Sequence, residues 1–549
     1  MALRLVYEAG EHGVAVGGAL TLIPSPFWGW SAGVTEWVGP DGVDLEVRAG
    51  GGMTSARVAG RALAAGERVA VAVGVGQTAR VDRFAEDGPA LWLGVDGDGD
   101  GIRAMVDPVR MSVVAGPPAQ LVATLPSAAA PGEEVALTVA VLDASANAFG
   151  PFTGDVQLRS LPGLRIDAVH RLNAEDAGIA RVLVVPERPG IYVVEVSGPG
   201  ALRTRSNPMV VRAGVEPILW GDLQIHTGSS DGTGAHEAVW RYAREVAALD
   251  VAAVTDHDHW GMRFLDADPS ALARANAAVD AAHAPGTFVA VHGYEWTSWL
   301  TGHRHVLSFD GAVELHSSLD GATDTPAELR AALRGREAVI VPHHVAGGPI
   351  ALDWSRGLDP ALEPVVEIAS VHGQSESPEL PGAIYDAVPG TFAFDQLAAG
   401  MRFGMIGSTD GHDGHPGLSH LVPGGHGGLV AFPGIAATRA DVLAALRSRR
   451  VYATNGPRIV LRVTIAGAPM GAALARPEGP VSVVVRVVGT APIDRVELVG
   501  PQGVVGSRSG QGTALLATWQ LAAPAFLYMR VVQIDGGLAW SSPVFFDGD

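Results

Sequence analysis

Sixteen of the chain's 18 histidines lie between His226 and His426, little more than a third of its 549 residues. Within that window they follow a rule: short apolar runs of strand length end, one after another, in imidazole or carboxylate. The run 218–220 leads to Asp222, Gln224, His226 and Asp231, and the run 251–254 to Asp256, His257, Asp258 and His259. The run 288–291 leads to His292 and Glu295, while His303 and His305 bracket the start of Val306-Leu307. The last three runs (338–341, 365–371 and 403–406) lead to His343 and His344, to His372, and to Ser408, Asp410 and His412. Ala-rich helical segments separate several of these seven strand candidates. Asp268-Pro269, Thr325-Pro326-Ala327-Glu328 and Thr438-Arg439-Ala440-Asp441 each read as a helix start.

Strand–helix alternation predicts parallel β/α units, and in a closed parallel barrel the C-terminal strand ends converge on one face. Imidazole and carboxylate donors without thiolate suit Zn²⁺, Mn²⁺ or Fe²⁺. Two such ions a few ångströms apart can clamp a bridging hydroxide, a hydrolytic nucleophile at neutral pH. An isolated histidine carries no such message. His283 in a helical segment, and His12 and His170 outside the window, read as surface or satisfied core residues.

Composition removes other chemistries. The chain has no cysteine, and all 38 of its basic residues are arginine. Disulfides, thiolate nucleophiles, Cys-ligated metals, Schiff bases, Walker A loops and carbamylated-lysine metal bridges are therefore excluded. A net charge of -20 argues against a nucleic-acid or anionic-membrane surface, so a small-molecule substrate is expected. No apolar run reaches the length of a membrane span, and no signal peptide follows Met1. The expected location is cytoplasmic; an absence of cysteine suits an exported mature form equally.

Four regions are expected: an N-terminal β domain (1–115), an Ig-like β-sandwich (116–214), the metal-binding barrel (215–456) and a C-terminal β-sandwich (457–549). Asp96, Asp98 and Asp100, with Asp107 eleven residues after the first, have the spacing of a calcium loop. A Gly/Asp turn between strands is the plainer reading, because the flanks are β and position twelve is not Glu. Trp260, Trp296 and Trp299 flank the donor motifs, lining a pocket or packing a core. Arg304, Arg450 and Arg458 would favour a phosphorylated substrate if they converged.

The segments Gly221–Gly232, Val254–His257, Gly293–Trp296, Val341–His344 and Gly407–His412 resemble, in order, the motifs of the PHP (polymerase and histidinol phosphatase) superfamily. With His372-Gly373, Arg450–Arg458 and Ala539–Pro543, the wider pattern is similar to its carbaryl-hydrolase-like branch, bacterial metallohydrolases. The resemblance implies a multidomain α/β plus β chain: a distorted seven-stranded (β/α) PHP barrel flanked by N-terminal and C-terminal β-sandwich-like domains. It implies two or three divalent ions. His226, Glu295 and Asp410 would hold the first, with Gln224 standing where the family has the first histidine of His-x-His. Glu295 would bridge to a second ion held by His343 and by His303 or His305; Asp231, His257 and His412 would hold the third. The implied reaction is attack by a metal-bridging hydroxide on a small-molecule ester, carbamate or phosphoester. His344, His372 or His415 would donate a proton to the leaving group, and Arg450 would contact an anionic substrate. The rival readings are a phosphodiesterase or exonuclease-like activity, and a non-catalytic, metal-stabilised glycan- or protein-binding protein.

Overall fold

A computed structural model describes residues 3–24, 31–50, 52–262 and 264–547. It is largely β, with few and short helices. The chain divides into two compact units, residues 1–114 with 231–235, and residues 115–230 with 236–549. The first unit is all β, with one three-stranded and one six-stranded antiparallel sheet. Its Asp96–Asp100 loop is a turn whose carboxylates serve its own backbone: Gly99 N and Gly101 N donate to Asp96 (2.7 and 3.1 Å), and Ile102 N donates to Asp100 (2.7 Å).

The second unit opens with a sandwich. Val135–Leu142 pairs with Gln120–Thr124 and Ile179–Pro186, over a core that includes Leu137, Val139, Val156, Val184 and Val196. Gly190–Tyr192 and Glu195–Ser197, close in sequence, belong to different sheets.

The His-rich region supplies strands β1 (Ile218–Asp222), β2 (Val251–Ala253), β3 (Val289–Trp296), β4 (Arg304–Ser308), β5 (Ala338–Pro342), β6 (Val365–Ser370) and β7 (Gly404–Gly407), then β8 (Leu429–Pro433) and β9 (Tyr452–Thr454). The runs are Val-, Ile- and Ala-rich and buried on both faces, as strands inside a layered domain must be. Helices α1 (His236–Glu245), α2 (Pro269–Ala282), α3 (Pro326–Ala332), α4 (Ala393–Ala398) and α5 (Arg439–Arg447) lie between them in sequence. Asp268 and Thr325 cap α2 and α3, each with Pro in the first turn, and Thr438 caps α5.

The expected all-parallel alternation is corrected. β1, β2 and β3 are mutually parallel, and so are β6 and β7, but β4 runs antiparallel to both β3 and β5. The reason is connection length. Only residues 297–303 join β3 to β4, and a parallel crossover needs a dozen or more. Beyond the strands proper, Ile225 bridges Gly411, and Ile340 N donates to Leu362 O just before β6 (2.7 Å), so backbone hydrogen bonds link all seven strands. β1 also pairs antiparallel with β8, β8 with β9, and β9 with the C-terminal strand Leu538–Ser541. Ile493–Gly500, Gly503–Ser509, Phe526–Gln533 and Leu538–Ser541 thus extend the same sheet, whereas Val460–Ile465, Val481–Val488 and Ala514–Leu521 form a separate one, and the sequence division at 456/457 is not a break in hydrogen bonding. Among the described residues no helix is long and apolar enough to cross a membrane.

Candidate metal centre

The reversed direction of β4 is what assembles the site. Parallel strands β1, β2, β3, β5, β6 and β7 bring their C-terminal ends to one side. Because β4 is antiparallel, its start lies there too, with His305 opposite Glu295 and Arg304 opposite Trp296. Across β2 and β3, His257 bridges Glu295. Where β1 and β7 run on past their ends, Asp410 N donates to Gln224 O (3.0 Å) and His226 N to Gly411 O (2.9 Å). Seven distant stretches of sequence so deliver polar side chains into a volume that is almost wholly buried.

Glu295 is at the centre. One carboxylate oxygen faces His303 Nδ1 (2.8 Å) and His257 Nδ1 (3.1 Å); the other faces Gln224 Nε2 (3.1 Å), His226 Nε2 (3.3 Å) and His343 Nε2 (3.4 Å). Asp410 meets the same His226 Nε2 (3.2 Å) and faces His372 Nε2 at 3.0 Å. His226, Glu295 and Asp410 form one group of donor atoms within 4.8 Å of one another; Glu295, His305 and His343 form a second, and His303, His343 and His344 a third. The rings of His257 and His412 stack on that of His226, with centroids 4.5 and 4.2 Å away. Both His303 and His305 therefore reach the centre, in different groups. His344 shares a donor group with His303 and His343. Asp231 begins the segment 231–235 of the other unit and is buried.

The electrostatics follow from crowding charge in a dry place. Burial opposes ionisation of Glu295, but the imidazoles of His257, His343 and His226 overcome it and hold the carboxyl well below its ordinary value. Asp410 is held down in the same way by His372 and His226. Burial and the neighbouring His257 push His226 down, yet Asp410 and Glu295 pull it up to about 10. Burial first, and His343 second, drive His305 and His344 well below the ordinary imidazole value, so both are neutral with lone pairs to offer. Both ring nitrogens of His305 and of His344, Nδ1 of His343, Nε2 of His303 and Oε1 of Gln224 are buried without a hydrogen-bond partner. Leaving that many buried polar atoms unpaired costs about 1–3 kcal/mol each. Divalent cations among them would satisfy the lone pairs and the carboxylate charge together, so the donor set fits the ions the sequence pattern implies. Two residues here, His344 (φ 38°) and Asp410 (φ 52°), hold left-handed backbone, a strain of roughly 1–2 kcal/mol each that clusters at functional sites.

No family model matches the chain. It is similar to uncharacterised proteins of Chlamydia trachomatis serovar D (26% identical over 395 residues, covering 65% of this chain and 62% of that one) and Chlamydia pneumoniae (26% over 401 residues, 65% and 62%). The chain therefore spans about three fifths of the length of these curated relatives. Among solved structures, it is similar to a two-domain protein containing a predicted PHP-like metal-dependent phosphoesterase from Bacteroides vulgatus. That match has 14% identity and a TM-score of 0.34, covering 60% of this chain and 95% of that one. Likeness at this level is too slight to carry a residue assignment, which rests on the donor geometry.

Several expected site residues lie elsewhere. His415 is not free: its Nε2 meets Asn147 Oδ1 at 3.1 Å and its ring packs on Tyr242, fastening the barrel to the sandwich. Arg450 pairs with Glu216 at 3.2 Å, before the start of β1 and so at the end of that strand away from His226. Arg458 donates to Ala247 O and Ala248 O (2.7 and 2.8 Å). Arg304 is fully buried against Glu363, which also holds Arg330. The three arginines do not converge. Trp296 is core, its indole N–H given to Thr323 O (2.9 Å), whereas Trp260 and Trp299 are partly exposed and Trp299 packs edge-on to His303 (4.9 Å). The sequence offered Asp256 among the polar residues that end the second run, but gave it no role. Its carboxylate accepts Thr227 N, Ser230 Oγ and His236 Nε2 (2.7, 2.6 and 3.0 Å), fixing the loop after His226; its place beside His257 was the available signal.

Proposed function

We propose that the chain is a divalent-metal-dependent hydrolase of the PHP type, cleaving a small-molecule ester, carbamate or phosphoester. The observation that carries this reading is Glu295, a buried carboxylate that belongs to two different groups of metal-type donors, one with His226 and Asp410 and one with His305 and His343. A carboxylate so flanked suits a bridge between two cations. His226 and Asp410 would complete one ion's donors, and His305 and His343 another's. His303 and His344 stand beside the second set, and the rings of His257 and His412 stack on His226 of the first. When bound, the ions supply Lewis-acid polarisation of the electrophile and activation of a water at neutral pH.

The chain's own residues do the rest. Gln224 donates to Glu295 and so holds its carboxylate plane. His372 is partly exposed at the edge of the centre, and its Nε2 rests on Asp410. It is the imidazole suited to pass a proton to the departing oxygen. Asp256 keeps the loop after His226 in one conformation. The test is a hydrolysis screen of the zinc- or manganese-loaded protein on p-nitrophenyl phosphate, bis-p-nitrophenyl phosphate, p-nitrophenyl acetate and a naphthyl carbamate. At least one should turn over, with activity lost to a chelator and restored by metal. No turnover of any of the four would contradict the reading.

A further inference from the structure

The chain has seven tyrosines. Five of them, Tyr192, Tyr242, Tyr294, Tyr452 and Tyr528, engage their phenolic oxygen in a hydrogen bond inside the protein. Tyr385 does not: among the described residues its hydroxyl has no partner. It stands at the rim of the metal centre, 49% exposed, its ring edge-on to His372 (centroids 5.5 Å, 68°), and His372 in turn rests on Asp410.

The backbone beneath Tyr385 is tied down more firmly than a rim loop requires. Tyr385 O accepts Gly348 N (2.8 Å), Val388 N donates to Ala346 O (2.8 Å), and Ile384 N donates to Gln374 O (2.9 Å). Ile384 packs with Ala346 and Phe392 in a small core of their own. At Gly347 a Cβ would come within 2.6 Å of Tyr385 O, so this approach needs glycine. The segment is therefore clamped to the residues that directly follow His343 and His344. A rigid mount carrying a hydroxyl that serves no internal bond is the arrangement of a group kept for a ligand. Burial and the Asp410 and Asp386 carboxylates also raise the phenol above its ordinary value, which keeps it a proton-bearing donor at neutral pH.

We propose that Tyr385 is a catalytic residue whose O–H donates a hydrogen bond to the substrate oxygen that gains negative charge during hydrolysis; this rests on the hydrolytic reading above. The Tyr385 O–H bond stays intact. The new bond joins a water oxygen to the carbonyl carbon or phosphorus, the bond that breaks releases the alcohol, and the proton lost by water ends on that alcohol. A donor aimed at developing charge is stronger in the transition state than in the ground state, so its removal is felt mainly in kcat.

The experiment compares wild type, Tyr385→Phe and Tyr385→Ala, all manganese-loaded, by calorimetric titration with inorganic phosphate and by turnover of the p-nitrophenyl esters. Tyr385→Phe should keep metal content and melting temperature, bind phosphate about tenfold more weakly, and lose roughly 10- to 100-fold in kcat. A Phe variant equal to wild type in both, or impairment confined to the Ala variant, overturns the proposal, since ring packing would then be the residue's whole role. Wild type with no phosphate affinity also counts against it. Tyr385-dependent phosphate binding with no ester turnover would instead sink the hydrolytic reading while leaving the oxyanion contact standing.

Discussion

Glu295 faces four imidazoles and an amide from four different stretches of chain, so a change at its carboxylate has consequences that a surface carboxylate's would not. Glu295→Gln keeps the volume and removes the charge that offsets two dications. We expect loss of at least one equivalent of metal and a fall in turnover on the order of 100-fold or more, with circular dichroism unchanged. Wild-type metal content and rate in this variant would reduce Glu295 to a packing role. Gln224→His creates a His-x-His pair and replaces a hard amide oxygen by imidazole; competition against a chelator should show zinc held about tenfold more tightly. Unchanged affinity would mean that residue 224 only orients Glu295. The donors were legible because each ends an apolar run. Arg304, weighed as a phosphate contact should the three arginines converge, points away from its neighbours His303 and His305 as alternation along a strand requires. Tyr385 carried no signal at all: it sits in a Pro- and Gly-rich segment and gains its meaning from where that segment docks.

Among elements, the helix starts were legible from local chemistry, because Asp268, Thr325 and Thr438 satisfy backbone N–H groups within their own turn. Strand direction was not, since an apolar run reads the same both ways; only the seven-residue link from β3 to β4 betrayed it. The approach of β1 to β2 has a pH signature. Asp250, just before β2, accepts Trp220 N at 2.8 Å. Burial lifts its carboxyl to about 6, with the nearby Arg458 and the Trp220 N–H pulling the other way. A folded-state value above the unfolded one, near 3.9, means that this group's contribution is fully present below about pH 4 and is lost as pH rises through about 6. Asn keeps the acceptor without the charge. The melting temperature of Asp250→Asn relative to wild type should therefore rise between pH 4.5 and pH 7.5. A difference that stays flat would show that Asp250 ionises as it does in the unfolded chain.

At the scale of the molecule, the C-terminal strands extend the sheet of the barrel, a continuity hidden from the sequence because β9 and Leu538–Ser541 lie more than eighty residues apart. A buried polar cluster reinforces the join. Glu376, just beyond β6, takes Arg530 Nη2 (2.6 Å), Trp540 Nε1 (3.2 Å) and the Tyr528 hydroxyl, and Arg530 also reaches Glu497 (2.9 Å). Arg530→Met strands Glu376 without its cation, and denaturant unfolding should show a loss of about 3 kcal/mol or more. A loss under about 1 kcal/mol would mean that apolar packing alone holds the sheets together. The account as a whole stands on the donors from six of the seven strands, all but β6, holding metal. Elemental analysis of protein purified without chelator tests this most directly. The account predicts two or more equivalents of zinc, manganese or iron per chain; less than half an equivalent, unrestored by incubation with those ions, would contradict it.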